Sequence, residues 1–155
     1  MKPDEIAAAL AERFPEKVLE TKLDGPTPFV VLDPAVVLDA SRFLREDPRL
    51  QMDHLELLGA VDYKDRIEVV YVANSMQHRH RVMWKCKLPR ENPRIETVES
   101  VWAVANWHER EAYDMLGVVF EGHSDLRRIL CPDDWEGYPL RKDYKYPTSY
   151  RDMPV

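Results

Sequence analysis

Cysteine is scarce in this sequence: only Cys86 and Cys131 occur among its 155 residues. Two isolated cysteines do not form the disulfide framework of a small secreted domain, and their spacing is not the CxxC spacing of a zinc site. The chain also lacks the cluster of cysteines that ligates an iron–sulfur centre. We therefore expect reduced thiols and a cytosolic environment.

Long apolar runs are missing as well. The longest stretch without a formal charge, Val69–His78, has ten residues, whereas a transmembrane helix needs roughly 20 consecutive apolar residues. The opening residues, MKPDEIAAALAERF, carry acidic side chains where a secretory leader would not, and their apolar stretch is too short for one. We expect a cytoplasmic protein, or one that reaches a membrane only through partners.

Basic residues are not in excess. The chain has 22 Lys and Arg against 28 Asp and Glu, which gives a formal net charge of −6. Domains that bind nucleic acid usually present a net basic face, and no polybasic run occurs here. The composition therefore argues against a nucleic-acid partner and for one globular domain with a heavily charged surface.

Hydrophobic periodicity predicts an α+β fold with the element order α-ββ-α-βββ-α. Helical spacing indicates helices that begin at Pro3, after an Asp33 cap and after a Thr97 cap, and the last helix ends near Leu116 at Gly117. Alternating apolar and polar residues between the helices indicate strands with one solvated face. We expect a two-layer sandwich with the helices on one face of a mixed, mostly antiparallel sheet.

Two finer predictions concern the first long strand and the end of the chain. In HLELLGAVDY, the residues predicted to share one side of a strand are Leu55, Leu57, Gly59, Val61 and Tyr63. After Gly122 the chain has four prolines, which are Pro132, Pro139, Pro147 and Pro154. We predict an α+β domain over 1–122 and an extended tail over 123–155. Residues after about Asp133 should be mobile unless they pack against their own domain or a partner.

The most unusual stretch is WHEREAYDMLGVVFEGHSDLRRIL, which mixes charges with aromatic and aliphatic residues. A helical wheel places Glu109 in the middle of the apolar stripe, so we expect a buried carboxylate. A buried carboxylate is costly unless it is paired or hydrogen-bonded. The cations predicted to fold back onto it from the tail are Arg127, Arg128 and Arg141.

The opposite side of the same helix carries an indole among charges, as a docking surface would. The residues predicted there are Trp107, Arg110, Glu111 and Asp114. The tail residues predicted to complete the partner-binding surface are His123, Asp125, Trp135, Arg141, Lys142 and Tyr144.

Other patterns for chemistry are weaker. His78 and His80 form an HxH pair, but two ligands without a nearby third seldom make a metal site. The HE dipeptide at His108 is not followed by the second histidine of an HExxH motif. Acid–base chemistry by His108, Glu111 and Asp114 in a free-standing enzyme stays open as an alternative.

The stretch EREAYDMLGVVFEGHSDLRRIL, followed by DWEGYPLRKDY, closely resembles the signature of the 30-kDa subunit of respiratory complex I. The resemblance extends to ANWHERE and to the predicted element order, so it covers nearly the whole chain. The sequence departs from the family at Ser124, where proline is usual, and at Cys131, where an aliphatic residue is usual. Neither departure changes a charged position.

The resemblance implies a structural role in a large enzyme. The family's complex oxidises NADH through flavin and iron–sulfur clusters, reduces a quinone and pumps protons. The resemblance implies that this chain carries no catalytic residue and no cofactor, with FMN and the clusters on partner subunits. It also implies that the chain braces the 49-kDa-type subunit in the peripheral arm, on the cytoplasmic face of the bacterial plasma membrane. A subunit of a membrane-bound hydrogenase or of another quinone-linked dehydrogenase is the alternative among relatives.

Overall fold

The computed structural model describes residues 1–151 and 153–154 of the chain. Residues 152 and 155 of the predicted tail lie outside the described residues. The helices are α1 (Pro3–Arg13), α2 (Val37–Glu46) and α3 (Ala105–Leu116). The strands are β1 (Val18–Lys22), β2 (Phe29–Leu32), β3 (His54–Asp62), β4 (Arg66–Asn74), β5 (Arg81–Pro89), β6 (Arg94–Glu96), β7 (Val119–Glu121), β8 (Ser149–Tyr150) and β9 (Met153–Pro154).

The central sheet has five strands in the order β1-β2-β5-β4-β3. Its neighbouring strands are antiparallel except for β2 and β5, which run parallel with Val30 opposite Trp84. The predicted α+β fold with a mixed, mostly antiparallel sheet is confirmed. Asp33 also has its predicted role, since its side chain accepts the N–H of Ala35 at the start of a 3-10 turn that leads into α2.

The core lies between the helices and one face of this sheet. Alternate residues of β4 and β5 are buried there, as the period-two pattern predicts, and Tyr71 stacks on Trp84 with ring centroids 5.1 Å apart. The predicted solvated face is wrong for β4, because Glu68 and Val72 on its other side are buried as well. Ile6 and Leu10 of α1 are fully buried in the same cluster. Full burial of each large apolar side chain stabilises the fold by about 1.5–3 kcal/mol.

The predicted face of β3 is wrong beyond its first residues. The register with β4 shifts between Leu55 and Leu57, where β3 forms a bulge. An extra residue in a strand exchanges the two faces of everything that follows. Leu57 and Val61 are therefore exposed, by 44% and 42%, while Leu58 and Asp62 are buried.

The predicted start of α3 is also wrong, although its end is confirmed. The helix begins at Ala105 and not after Thr97, because residues 98–104 form turns. Gly117 ends it in the left-handed conformation at φ 75°. Strands β6 and β7, which the periodicity does not predict, pair in parallel on either side of α3 in the sequence. This pairing holds Thr97 and the turn after it beside the helix.

Candidate partner-docking site

Glu109 lies on the interior face of α3 and is fully buried, as the helical wheel predicts. Its Oε1 accepts the backbone N–H of Val98 at 2.8 Å, and its Oε2 is hydrogen-bonded to the hydroxyl of Thr97. The Nε2 atom of His123 lies 3.8 Å from Oε2. The late start of α3 explains this arrangement, because the turn before the helix supplies N–H and O–H donors.

The predicted cationic partners of Glu109 are wrong. Arg127 pairs with Asp125 at 2.8 Å, and Arg128 pairs with Asp114 at 2.6 Å. Arg141 donates from Nε to the carbonyl oxygen of Leu116 at 2.8 Å. Local donors from the preceding turn satisfy Glu109, so the arginines of the tail are available to hold other groups.

Burial raises the pKa of Glu109 to about 7, against the hydrogen bonds from Thr97 and Val98, which lower it. The nearby carboxylate of Glu99 raises the pKa further. This pKa of Glu109 in the folded protein is higher than its pKa in the unfolded chain. At a pH between these two pKa values, the folded protein therefore binds the proton more tightly than the unfolded chain does. The free energy of unfolding should therefore fall as pH rises from about 4.5 to about 7.

Glu109→Gln should remove this loss of stability, because the amide stays neutral at every pH. We expect the wild-type chain to lose about 3 kcal/mol relative to Glu109→Gln between pH 4.5 and pH 8. Urea unfolding at a series of pH values measures the difference. The matched control is Glu111→Gln on the exposed side of the helix, which should follow the wild type. A Glu109→Gln profile parallel to that of the wild type would contradict the prediction.

Asp114 was predicted on the outer docking face, and the structure corrects this position. The residue is fully buried, and its Oδ1 pairs with Arg128. Its Oδ2 accepts three consecutive backbone N–H groups, from Ile129 at 3.0 Å, Leu130 at 2.7 Å and Cys131 at 2.8 Å. Asp114 is therefore the point at which the tail is fixed to α3.

The electrostatics of Asp114 agree with this role. Burial raises its pKa, but the hydrogen bonds from Cys131, Arg128, Ile129 and Leu130 outweigh burial and lower the pKa below its ordinary value. The carboxylate is therefore charged at neutral pH.

Arg110 was also predicted on the outer face, and it too is buried, with 6% of its surface exposed. Its guanidinium faces the carbonyl oxygens of Arg127 and Arg128 at 3.4 and 3.3 Å and lies 5.3 Å from the ring centroid of Trp107. Arg128 reaches onward to the carbonyl oxygens of Trp135 and Gly137 at 2.8 and 2.9 Å. Arg110 and Arg128 therefore hold the tail against α3.

The rest of the tail follows the end of α3 towards the end of β3. The Tyr138 ring lies so close to Gly117 that a Cβ there would approach it to 2.6 Å. Further along, Leu140 donates its N–H to the Met115 carbonyl at 3.0 Å, and Lys142 donates its N–H to Asp62 at 2.9 Å. The predicted tail thus packs against its own domain, and the boundary at residue 122 stays a prediction.

Asp62 and Arg90 form the last site at which the tail is held against the domain. Arg90 binds Asp62 through two nitrogens at 2.9 Å each, and it binds Asp143 of the tail at 2.6 Å. The hydrogen bond from Arg90 is the main reason why the pKa of Asp62 lies well below its usual range.

The other predicted docking residues have mixed positions. Glu111, Asp125 and Lys142 are exposed. The half-buried residues bind within the chain: the His123 ring contacts the Asn106 carbonyl at 3.1 Å, the Tyr144 hydroxyl donates to the Glu136 carbonyl at 3.1 Å, and the Trp135 ring lies 5.2 Å from that of Tyr150. Arg141 is half-buried as well.

Large apolar side chains remain exposed along α3 and the tail. They are Trp107 (62%), Leu130 (63%), Leu140 (58%), Tyr146 (65%) and Met153 (60%), and we call the first three the α3–tail ridge. Leu130 and Leu140 both lie beside the last turn of α3, since their N–H groups bind Asp114 and Met115. Trp107 lies two turns earlier, about 10 Å along the helix.

Sequence reasoning missed Leu130 and Leu140. A proline-rich tail has no helical or strand periodicity, so its sequence does not indicate whether an aliphatic side chain points to the core or to solvent. The only signal was their position beside the charged and aromatic residues of the tail.

The histidine pair contacts the backbone of a neighbouring segment. His78 and His80 contact the carbonyl oxygens of Pro48 and Leu50 through Nε2 at 3.0 and 2.7 Å. Among the described residues, no three His, Cys, Asp or Glu side chains come together as metal ligands would. Within residues 1–151 and 153–154, none of the helices has the length and hydropathy of a membrane span.

Comparison with known proteins connects this geometry to a family. Residues 30–150 match the family described as the 30-kDa subunit of the respiratory-chain NADH dehydrogenase. The C subunit of the NADH-quinone oxidoreductase of Chloroherpeton thalassium is 45% identical over 157 residues, which cover 99% of this chain and 65% of the relative. The same subunit of Chlorobium phaeobacteroides is 43% identical over 93% of this chain and 89% of its own length.

Two solved structures have the same fold. A trypsin-resistant fragment of Nqo5 superposes with a TM-score of 0.69 and 26% identity, over 81% of this chain and 100% of that chain. A chain of the membrane-bound sulfane sulfur reductase, an archaeal respiratory membrane complex, superposes with a TM-score of 0.73 and 28% identity, over 94% of this chain and 86% of that chain. The sequence match over most of the chain, together with this shared fold, shows that the protein belongs to the family of the 30-kDa subunit of the respiratory-chain NADH dehydrogenase.

Proposed function

We propose that this chain is a structural subunit in the peripheral arm of a proton-translocating NADH–quinone oxidoreductase, where it braces the 49-kDa-type, quinone-reducing subunit. The observation that carries the proposal is the α3–tail ridge, in which exposed apolar side chains are fixed to a buried anchor. The chain itself holds no flavin, metal or iron–sulfur cluster and supplies no catalytic residue. It reaches the cytoplasmic face of the plasma membrane through its partners, and it binds no nucleic acid.

The physical chemistry of the ridge supports a docking role. Tryptophan in a desolvated interface is among the residues that dominate binding energy. A tail held by Asp114, Arg110 and Arg90 is already ordered before it meets a partner. Such ordering lowers the entropy lost on association, and it therefore raises affinity for a given contact area.

A second candidate is the equivalent subunit of a respiratory complex with another electron donor. The observation that favours it is the likeness to a chain of the membrane-bound sulfane sulfur reductase, which covers 94% of this chain. A membrane-bound hydrogenase or another quinone-linked dehydrogenase belongs to the same class of alternative. The identity of the neighbouring subunits distinguishes these candidates from the first proposal.

The free-standing acid–base enzyme has less support. It requires Asp114 to exchange protons, but both oxygens of Asp114 are already engaged by Arg128 and by three backbone N–H groups. Of its other two residues, Glu111 is exposed and His108 is half-buried.

Co-purification from native membranes tests the proposal. We expect a tagged chain to recover the 49-kDa-type subunit and NADH-driven quinone reduction, and the separated chain to contain no stoichiometric iron, zinc or flavin. Trp107→Ala combined with Leu140→Ser should reduce recovery of the complex at least tenfold, because each hot-spot residue contributes about 2 kcal/mol or more.

The matched control is Leu19→Ser, an exposed apolar residue on β1, at the opposite sheet edge from the strand that α3 contacts. It should leave recovery unchanged, and all variants should unfold at the same urea concentration. Unchanged recovery for Trp107→Ala/Leu140→Ser would refute the docking role of the ridge. An active monomer would refute the structural role.

A further inference from the structure

Arg110 is the only buried Lys or Arg side chain among the residues that the structure describes. A guanidinium in a protein keeps its positive charge, because it is not deprotonated at any pH at which proteins fold. Burying a charge costs free energy unless an opposite charge or good hydrogen bonds compensate it. The charge of Arg110 therefore needs a partner.

The described residues offer Arg110 little compensation. Its hydrogen bonds run from Nε and Nη2 to two backbone carbonyl oxygens at 3.4 and 3.3 Å, whereas N–H···O bonds are usually about 2.9–3.0 Å long. Its Nη1 makes no hydrogen bond to any described residue. The carboxylates of Asp114, one turn along α3, and of Asp125 are held by Arg128 and Arg127 at 2.6 and 2.8 Å. The pKa of Asp125 is lowered mainly by its hydrogen bond from Arg127 and less by Arg110.

The neighbouring Arg128 shows what Arg110 lacks. Nη1 of Arg128 binds the Asp114 carboxylate at 2.6 Å, and its Nη2 donates to two carbonyl oxygens of the tail at 2.8 and 2.9 Å. Arg128 is only half-buried, yet it has both a carboxylate and short hydrogen bonds. Arg110 is buried more deeply and has neither. Within the described chain, Nη1 of Arg110 is therefore the atom at which an acceptor is missing.

Arg110 lies at the α3–tail ridge. Its guanidinium carbon is 5.3 Å from the ring centroid of Trp107, which is 62% exposed. The carbonyl groups that it faces belong to Arg127 and Arg128, just before Leu130 of the ridge. A group that packs against the indole would therefore lie beside the guanidinium. A carboxylate fits this position, because its two oxygens match the planar fork of a guanidinium.

We propose that a carboxylate of the neighbouring subunit pairs with Arg110, at Nη1 and beside the indole of Trp107. This inference rests on the proposed function, since it names the charged group that the partner brings to the α3–tail ridge. The chain supplies the cation and the aromatic wall, so charge complementarity selects an acidic side chain as the partner group. Exclusion of water by the partner would strengthen the pair, because charges attract more strongly at a low dielectric constant.

Arg110→Gln separates this role from a purely structural one. The amide keeps a donor for one of the two carbonyls, and the isolated chain loses no ion pair and only long hydrogen bonds. Its urea midpoint should therefore stay unchanged, while recovery of the complex should fall about tenfold or more, as when one member of a buried charge pair is removed. Arg110→Lys keeps the charge without the fork, and it should restore part of the recovery.

The matched control is Arg127→Gln, which removes an exposed charge from the same region. Arg127 already has its carboxylate within the chain, in Asp125. Exposed ion pairs contribute little, so recovery should change by less than about twofold. Equal losses for Arg110→Gln and Arg127→Gln would show that net charge matters and not the pairing of Arg110, and would overturn the inference.

A crosslink identifies the partner group. A photo-reactive amino acid at position 111, which is exposed on α3 one turn from Trp107, should crosslink in the assembled complex to a partner segment that contains Asp or Glu. Changing that residue to Asn or Gln should lower recovery as much as Arg110→Gln does. Combining the two changes should lower it no further, because both remove the same pair.

Several results would contradict the pairing. They are a lower urea midpoint for Arg110→Gln with recovery reduced in proportion, losses that add in the double variant, a crosslink to lipid, to a second copy or to a segment without Asp or Glu, and the lack of any crosslink. If Trp107→Ala/Leu140→Ser disrupts the complex while Arg110→Gln does not, this inference fails and the proposed function stands. If the chain enters no complex, both fail.

Discussion

Asp114→Asn should destabilise the folded chain by about 3–5 kcal/mol, since it removes one charge of a buried pair and leaves the other without a partner. Arg128 has only 15% of its side chain exposed, so water cannot fully replace the carboxylate. The three N–H groups of Ile129, Leu130 and Cys131 also lose a charged acceptor. Denaturant unfolding of the purified chain measures the loss.

A local readout separates loss of the anchor from general damage. In Asp114→Asn the tail should come away from α3 before the core unfolds, so trypsin should cleave after Arg127 and Arg128 faster than in the wild type. The control is Glu111→Gln, an exposed charge on the same helix, for which we expect a change within about 0.5 kcal/mol. If the two variants unfold alike and are cleaved alike, Asp114 is not the anchor of the tail.

Truncation after Asp133 should leave the α+β domain folded and abolish its incorporation into the membrane complex. The five strands of the central sheet and all three helices precede this position. The deletion removes Leu140 from the ridge and also removes the contacts that Leu140 and Lys142 make with Met115 and Asp62. We expect lower stability, by about 1 kcal/mol for each lost hydrogen bond, but not loss of the fold.

Two measurements decide this prediction. Circular dichroism and urea unfolding report whether the truncated chain is folded, and co-purification reports whether it enters the complex. The full-length Leu19→Ser variant serves as the control for an unrelated surface change. A truncated chain that assembles and supports NADH-driven quinone reduction at the normal rate would show that the tail is not a docking element.

The sequence alone determined the features that depend on local spacing. The alternation over Ile67–Ala73 predicted which residues of β4 enter the core, although it did not predict that Glu68 and Val72 on the other face are buried too. The glycine at position 117 predicted the end of α3. The wheel predicted a buried Glu109 for the same reason, because one residue every 100° fixes the side of a helix on which a side chain lies. The family could likewise be identified from the long motif around α3, since a motif is a property of consecutive residues.

Only the tertiary structure decided which groups meet. The bulge after Leu55 reverses the faces of β3. It depends on how β3 pairs with β4, and the period-two pattern of a single strand carries no information about that pairing. Arg128 binds Asp114 and not Glu109, because the path of the tail brings the N–H groups of residues 129–131 to the far side of the helix. Spacing along the chain fixes the direction of each side chain, but the partner of a buried charge is set by contacts between segments distant in sequence.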